Sequence, residues 1–364
     1  MKIQVQKVKS SNIESVGYNS ITKDLLVVFK GNNEYLYNNV PQEHYEKMID
    51  STISPGSYLA KSIKGHFEYS KVKDVATTEP LLKNDGTAAQ KQSIKTMSLK
   101  GLEFKAKELV ENLKESGFVL ITGHDLTKED IDLFYSEWEN FFNSDEKNFY
   151  LYNEDQSGYF PMESEKAKYS DIPDLKEFYQ YYEGLSIDPI MGLTKHIRQD
   201  LNQLGHFLLL QIFKGLPEEI RNSTSEPIPN MVLDSKGAMF RIINYPPMTN
   251  IPVGAVRSAA HEDINLITLL PMSTAEGLQI LGNNGEWIDV GGDPHAIIVN
   301  VGDMLSAATK GYLKSTTHRV VNKNMDKPRL SAPLFIHPRP EVVLSEGLTA
   351  GQYLEERLKQ IRAK

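Results

Sequence analysis

The chain contains no cysteine in 364 residues. Disulfides, thiolate-ligated zinc, iron–sulfur clusters and thiol nucleophiles are therefore excluded. A long apolar run is also missing. The densest stretch, "HFLLLQIF" (His206–Phe213), is far shorter than the roughly 20 residues that span a bilayer. The N-terminal "MKIQVQKVKS" lacks the apolar core of a signal peptide. Both absences lead us to expect a cytoplasmic protein with no membrane association. Basic clusters are scarce as well, and the net charge is −8. Residues 1–73 hold 10 Lys, no Arg and 7 acidic residues, a balance of +3, and the rest holds 30 basic and 41 acidic residues, a balance of −11. Phosphate binding needs clustered cations, so the larger part is not a general nucleic-acid binder. The unequal charge points to two modules.

The first module, residues 1–73, reads as a small α+β domain. "IESVGYN", "LLVVFK" and "EYLYNN" are strand candidates parted by turn-like segments. "PQEHYEKMID" opens on proline and carries Tyr45, Met48 and Ile49 at helical spacing. "SPGSYLAKSIKGHF" suggests a second short helix. From Val8 to Tyr69 the sequence resembles the KTSC domain, which occurs at the C-terminus of some lysyl-tRNA synthetases. That resemblance implies a recognition or accessory role. Tyr35, Tyr37, Phe67 and Tyr69 are candidates for stacking on bases, which makes nucleic acid a candidate partner of this module. The competing expectation is that they pack a small core. Residues 74–95 are polar and aperiodic, and we read them as a linker.

The second module runs over residues 96–364. In its helical part, 96–235, Leu102, Ala106, Leu109 and Leu113 share one helix face that ends at Gly117. "FVLITG" follows as a strand, then "KEDIDLFYSEWENFFN" and "GLTKHIRQDLNQLGHFLLLQIFKGL" as helices. Over 236–340 the pattern changes. Seven strand candidates, "AMFRIINY", "LITLLP", "GLQILG", "GEWIDV", "HAIIVNVG", "HRVVN" and "RLSAPLFIHP", alternate with Gly, Asn, Asp and Pro turns. This indicates a mainly β sandwich or barrel with flanking helices. Residues 347–364 close the chain as a helix.

Within the β region, "HEDINLITLLP" sets His261 two residues before Asp263. Alone the pair decides nothing, since roughly one His-x-acid triplet arises by chance in a chain of this composition. In an extended chain, however, residues i and i+2 face the same way. An imidazole and a carboxylate so aimed, with His318 from "STTHRVVN", form the two-histidine, one-carboxylate facial set of non-haem Fe(II) oxygenases. Arg329 and Ser331 likewise share a strand face. A guanidinium fork grips a carboxylate through two parallel hydrogen bonds, and a hydroxyl adds a third. Tyr245, in "RIINYPP", is a further donor. Other motifs fail. "HEDIN" begins like a zinc-protease H-E-x-x-H but has Asn265 at the second histidine position, and a zinc deaminase would need a cysteine pair.

His261-x-Asp263, His318 and Arg329-x-Ser331, in this order and spacing, resemble the Fe(II)- and 2-oxoglutarate-dependent dioxygenases, and more narrowly the isopenicillin-N-synthase-like branch. "ESGFVLITGHDL", "GEWIDV" and "AIIVNVGDMLSAATKGYLKSTTHRVVN" extend the likeness over about Met97 to Leu344. The resemblance implies a double-stranded β-helix, or jelly roll of the cupin kind. It implies His261, Asp263 and His318 as iron ligands, with 2-oxoglutarate and O2 as co-substrates. Arg329 and Ser331 would hold the C5 carboxylate, with Tyr245 beside it. Plant members read "NYYPP" where this chain reads "INYPP", so Ile243 replaces an asparagine, and Asn265 is the candidate to remake its contact. The implied reaction decarboxylates 2-oxoglutarate to succinate and CO2 and oxidises a small or tethered substrate. Two alternatives stay open: a catalytically silent jelly-roll binding protein, and a member that uses the clamp for a substrate carboxylate. Arg241 is expected to be structural, while Arg257 is a candidate at the mouth of the site. Tyr150–Asp171 is a candidate lid or pocket wall.

Overall fold

A computed structural model describes residues 5–10, 13–19, 23–30, 33–50, 52–64, 66–67, 69–71, 94–165, 174–182, 192–248, 256–323, 325–345 and 347–362. The chain divides into two compact units, Met1–Ala89 and Gln90–Lys364. Residues 74–93 of the expected linker lie outside the described residues. Lys95 already belongs to a strand, Lys95–Ser98, that pairs in parallel with Phe118–Thr122.

The first unit is an antiparallel meander. Its five strands, Val5–Lys7, Ile13–Asn19, Asp24–Phe29, Asn33–Tyr37 and Tyr69–Lys71, lie side by side in chain order. The helix Gln42–Ile49 seats Met48 among Ile13, Val16, Leu25 and Val27, all fully buried. Tyr37 is 3 % exposed and belongs to this core, so it presents no free ring face. Tyr35 packs edge-on against Phe29, and Phe67 edge-on against His44. The side chain of Tyr69 lies outside the described residues.

In the second unit the expected helices form where the apolar spacing places them: Ala106–Ser116, Lys128–Asn143, Gly192–Gly215 and Ala350–Arg362. The first ends at Gly117, whose φ of 72° is the left-handed turn that glycine takes without a Cβ penalty. Between them stand two sheets, antiparallel throughout their jelly-roll strands. The minor sheet has the order Ser258–His261, His318–Val320, Leu278–Leu281, Trp287–Asp289. The major sheet contains the neighbours Ile297–Val301, Ile267–Pro271, Leu334–Ile336 and Met239–Tyr245, with Arg329–Ser331 also paired to the last. The chain thus crosses between the sheets from Met239–Tyr245 to Ser258–His261, Ile267–Pro271 and Leu278–Leu281, and again from Trp287–Asp289 to Ile297–Val301, His318–Val320 and Arg329–Ser331, which is the double-stranded β-helix.

Alternation along each strand assigns its two faces. Ile267 and Leu269, Ile297 and Val299, and Phe240 and Ile242 turn outward to a core shared with the helices, around Trp138, Leu208 and Ile212. Leu270, Ile298, Ile243 and Tyr245 turn inward, where they meet Leu278, Ile280 and Val320 of the minor sheet.

The part read as helical also extends the major sheet with Gly158–Phe160 and Glu177–Tyr181. Neither carried a strand signal. The first has three residues, and the second, "EFYQY", is buried at every position and so lacks polar alternation. Ser258–His261 was missed too, because "SAAH" holds no β-branched or large aromatic residue.

Candidate metal and carboxylate site

His261 is the last residue of its strand, and His318 is its direct partner on the neighbouring strand. Their rings stand 4.4 Å apart between centroids. Asp263 differs from the extended arrangement expected from the sequence. It lies beyond the strand end, in the turn that carries the chain from the minor to the major sheet. The turn still brings the three together: Asp263 Oδ1 is 3.9 Å from His261 Nε2 and 3.7 Å from His318 Nε2. Among the described residues these three form the group whose donor atoms all lie within 4.8 Å of one another.

The surroundings orient each donor. Nδ1–H of His261 donates to the Ala259 carbonyl at 2.7 Å, and that of His318 to the Thr316 carbonyl at 3.2 Å. Each ring therefore keeps Nε2 as the lone-pair atom facing the centre. Thr268 Oγ1 and Asn300 Nδ2 both donate to Asp263 Oδ2, at 2.6 and 2.8 Å. Oδ1 is left to face the imidazoles. Burial opposes ionisation of Asp263, but the two histidines and these hydrogen bonds outweigh it and hold the carboxyl below its ordinary range. Loss of hydration and then the neighbouring His318 keep His261 well below the usual histidine range. Near neutral pH Asp263 is therefore an anion and His261 a neutral imidazole. Glu262 turns away and accepts a hydrogen bond from Thr317.

The turn itself is clamped by backbone. Gly302 N–H donates to Leu266 O at 2.9 Å and Asp303 N–H to Asp263 O at 2.7 Å. A Cβ on Gly302 would lie 2.1 Å from the Asn265 carbonyl oxygen. We expect Gly302→Ala to cost about 1–3 kcal/mol through overpacking and to weaken metal binding by shifting Asp263. Thermal unfolding and an iron titration measure both, and an unchanged melting temperature would contradict this account.

Arg329 lies opposite Tyr245, and Ser331 opposite Ile243, on paired strands. Arg329 is 1 % exposed. Its Nε donates to Ala275 O at 3.0 Å and its Nη2 to Ser273 Oγ at 2.8 Å. Ser273 Oγ in turn donates to Ser331 Oγ at 3.1 Å. The Tyr245 ring sits 5.2 Å from the guanidinium. Nη1 of Arg329 is buried and has no hydrogen-bond partner. Sequence reasoning missed Ser273, which joins both clamp residues; a serine in a turn leaves no signal by itself.

Asn265 is placed away from the clamp. It is fully buried, and its amide donates to Ile267 O and Thr268 Oγ1 at 2.9 and 3.0 Å. It therefore supports the threonine that orients Asp263, and the site that the plant asparagine would occupy is apolar Ile243. Arg241 is structural as expected, paired with both carboxylate oxygens of Glu165. Arg257 does not lie at an exposed mouth. It is 1 % exposed, donates to Lys327 O and lies 6.0 Å from the Tyr245 ring. In the expected pocket wall, Tyr152 stacks on Phe160 at 4.2 Å, and Phe160 stacks at 4.6 Å on Phe178 of the neighbouring strand Glu177–Tyr181. Residues 166–171 of that segment lie outside the described residues.

Residues 237–338 match the 2OG-Fe(II) oxygenase superfamily, and residues 98–203 match the N-terminal region of non-haem dioxygenases described from morphine synthesis. A solved structure of a putative oxygenase from Shewanella oneidensis is 42 % identical, with a TM-score of 0.67, and the match covers 74 % of this chain and 99 % of that one. The chain belongs to the 2OG-Fe(II) oxygenase superfamily. Another member with a solved structure, from Caulobacter crescentus, is 27 % identical with a TM-score of 0.62 over 74 % of this chain and 99 % of that one. Scopoletin 8-hydroxylase of Arabidopsis thaliana is 27 % identical over 72 % of this chain and 77 % of its own length. Residues 9–67 match the KTSC domain. This 2OG-Fe(II) oxygenase is an oxidoreductase that uses Fe(II), 2-oxoglutarate and O2. Among the described residues no helix is long and apolar enough to cross a membrane.

The residues present fit these groups. Two imidazoles and a carboxylate on one side suit Fe(II), and a buried guanidinium with an unpaired N–H suits a carboxylate.

Proposed function

We propose that this oxygenase couples the oxidative decarboxylation of 2-oxoglutarate to succinate and CO2 with hydroxylation, or a related oxidation, of a small or tethered substrate. His261, Asp263 and His318 hold the iron. Arg329, Ser331, Ser273 and Tyr245 hold the C5 carboxylate of 2-oxoglutarate. The observation that carries this reading is the buried guanidinium of Arg329, which keeps Nη1 unpaired inside the same β-sandwich as the three convergent donors. Burying such a charge without a full set of partners is costly, and a bound carboxylate would complete it.

Bound iron supplies the redox chemistry, activating O2 with electrons taken from the decarboxylation. The chain does the rest. Asp263, fixed by Thr268 and Asn300, presents one oxygen. The histidines present Nε2. The Phe118 ring, 5.6 Å from His318, shields that ligand from water. Ser273 keeps Arg329 and Ser331 in one arrangement.

The test is succinate formation under air with Fe(II) and 2-oxoglutarate, screened against metabolite and nucleic-acid pools. We expect slow succinate release alone, faster release with a substrate, and none with a chelator. A protein that binds Fe(II) and 2-oxoglutarate yet forms no succinate under any of these conditions would be a binding protein instead.

A further inference from the structure

At the metal end of the jelly roll the His261 side chain is 39 % exposed. At the other end a cavity of about 440 Å³ leads inward from a rim at Lys128, Thr274 and Gly291, all exposed, to a buried floor of Tyr135, Leu278 and Arg329. His261, Asp263 and His318 do not border this cavity, whereas Arg329 and Ser273 do. The strand pair shows why. Ile267 pairs with Val301 just after the Asp263 turn, and Pro271 pairs with Ile297 at the cavity wall. Four residues at about 3.3 Å each separate these ends by about 13 Å.

We propose that this cavity is the passage through which 2-oxoglutarate reaches its clamp and succinate leaves, separate from the opening at the metal end. The proposal rests on the assignment of Arg329 as the co-substrate clamp. Its floor is a buried cation with an unpaired N–H, the group that a dicarboxylate arriving by this route meets. The rim carboxylates have lysines beside them: Asp132 pairs with Lys128, and Glu276 with Lys323 at 3.4 Å, a lysine that Asp289 shares at 3.0 Å. The volume lies within the range of about 300–1,000 Å³ typical of small-molecule sites, ample for a five-carbon diacid. The His124 ring donates to His295 O at 2.6 Å and joins the two loops that form part of the rim. With two routes, a substrate seated over the metal does not trap the co-substrate beneath it.

The test narrows the rim without touching the clamp. A side chain at Gly291 would meet nothing within 4 Å of its Cβ. Lys128 is another exposed rim position and serves as the second variant should the first fold poorly. Gly291→Trp and Lys128→Trp, loaded with Fe(II) under anaerobic conditions, are compared with the unaltered protein. Rapid-filtration pulse–chase with radiolabelled 2-oxoglutarate gives association and dissociation rates, and an equilibrium titration gives Kd. For a narrowed passage we expect both rates to fall about tenfold while Kd stays within about twofold, because a passage affects the barrier and not the bound state. Unchanged rates in folded variants overturn the passage. So does a weaker Kd with an unchanged association rate, which would make the cavity part of the bound pose. If instead the unaltered protein binds no 2-oxoglutarate, or Arg329→Ala binds it normally, it is the clamp assignment that fails.

Discussion

Asp263→Asn is expected to lose Fe(II), although it changes neither the size nor the shape of the side chain. The reason lies in the hydrogen bonds behind the carboxylate. Thr268 and Asn300 both donate to Oδ2, so that position accepts two hydrogen bonds. An asparagine must therefore put its carbonyl oxygen there and turn its NH2 toward the imidazoles. An amide nitrogen has no lone pair for a metal. The opposite rotamer would aim the oxygen at the metal but set NH2 against two donors inside a site that is 7 % exposed. Disturbing a residue behind a ligand typically costs about 10–100-fold in metal affinity, so replacing a ligand should cost more than about 100-fold. Fe(II) titration and succinate assays read this directly. Folding should survive, because the residue stays isosteric. An Asp263→Asn protein that bound iron normally would remove Asp263 from the metal site.

Much of this site was legible because its chemistry is local in sequence. His261 and Asp263 are two residues apart, as are Arg329 and Ser331, and each spacing carries a geometric meaning of its own. The long helices were legible for the same reason, since apolar spacing and the Gly117 stop are properties of neighbours. What stayed hidden depends on distant pairing. Ser273 matters only because the sandwich sets its turn against Arg329 and Ser331. Glu177–Tyr181 is a strand because Met239–Tyr245 pairs with it, not because of its own pattern. Asn265 shows the limit of reading by substitution. Its position next to the metal motif suggested a cofactor contact, yet its NH2 is taken up by its own turn, and its Oδ1 is buried without a hydrogen-bond partner. Arg257 was a candidate for the mouth because its segment reads as a loop, but the fold buries it beside Tyr245.

Arg329→Ala is expected to raise the apparent Kd of 2-oxoglutarate about 10²–10⁴-fold, since it removes two charge-assisted hydrogen bonds worth about 1.5–3 kcal/mol each. Fe(II) affinity should change little, because the hydrogen bonds of Arg329 go to Ala275 O and Ser273 Oγ and not to the residues that orient the metal donors. The two variants thus separate the two halves of the site: Asp263→Asn loses metal, and Arg329→Ala loses the dicarboxylate. Arg329→Lys should fall between the unaltered protein and Arg329→Ala. It keeps the charge but not the planar fork, and it cannot reach Ala275 O, Ser273 Oγ and a ligand carboxylate in the same geometry. A 2-oxoglutarate analogue that lacks the C5 carboxylate sharpens the test. If Arg329 reads that carboxylate, the analogue binds the unaltered protein weakly and loses little further affinity in Arg329→Ala. If the analogue and 2-oxoglutarate lose affinity equally, the arginine acts through general destabilisation and the clamp lies elsewhere. If Arg329→Ala leaves 2-oxoglutarate binding intact but abolishes the response to substrate, the guanidinium reads a carboxylate on the substrate instead.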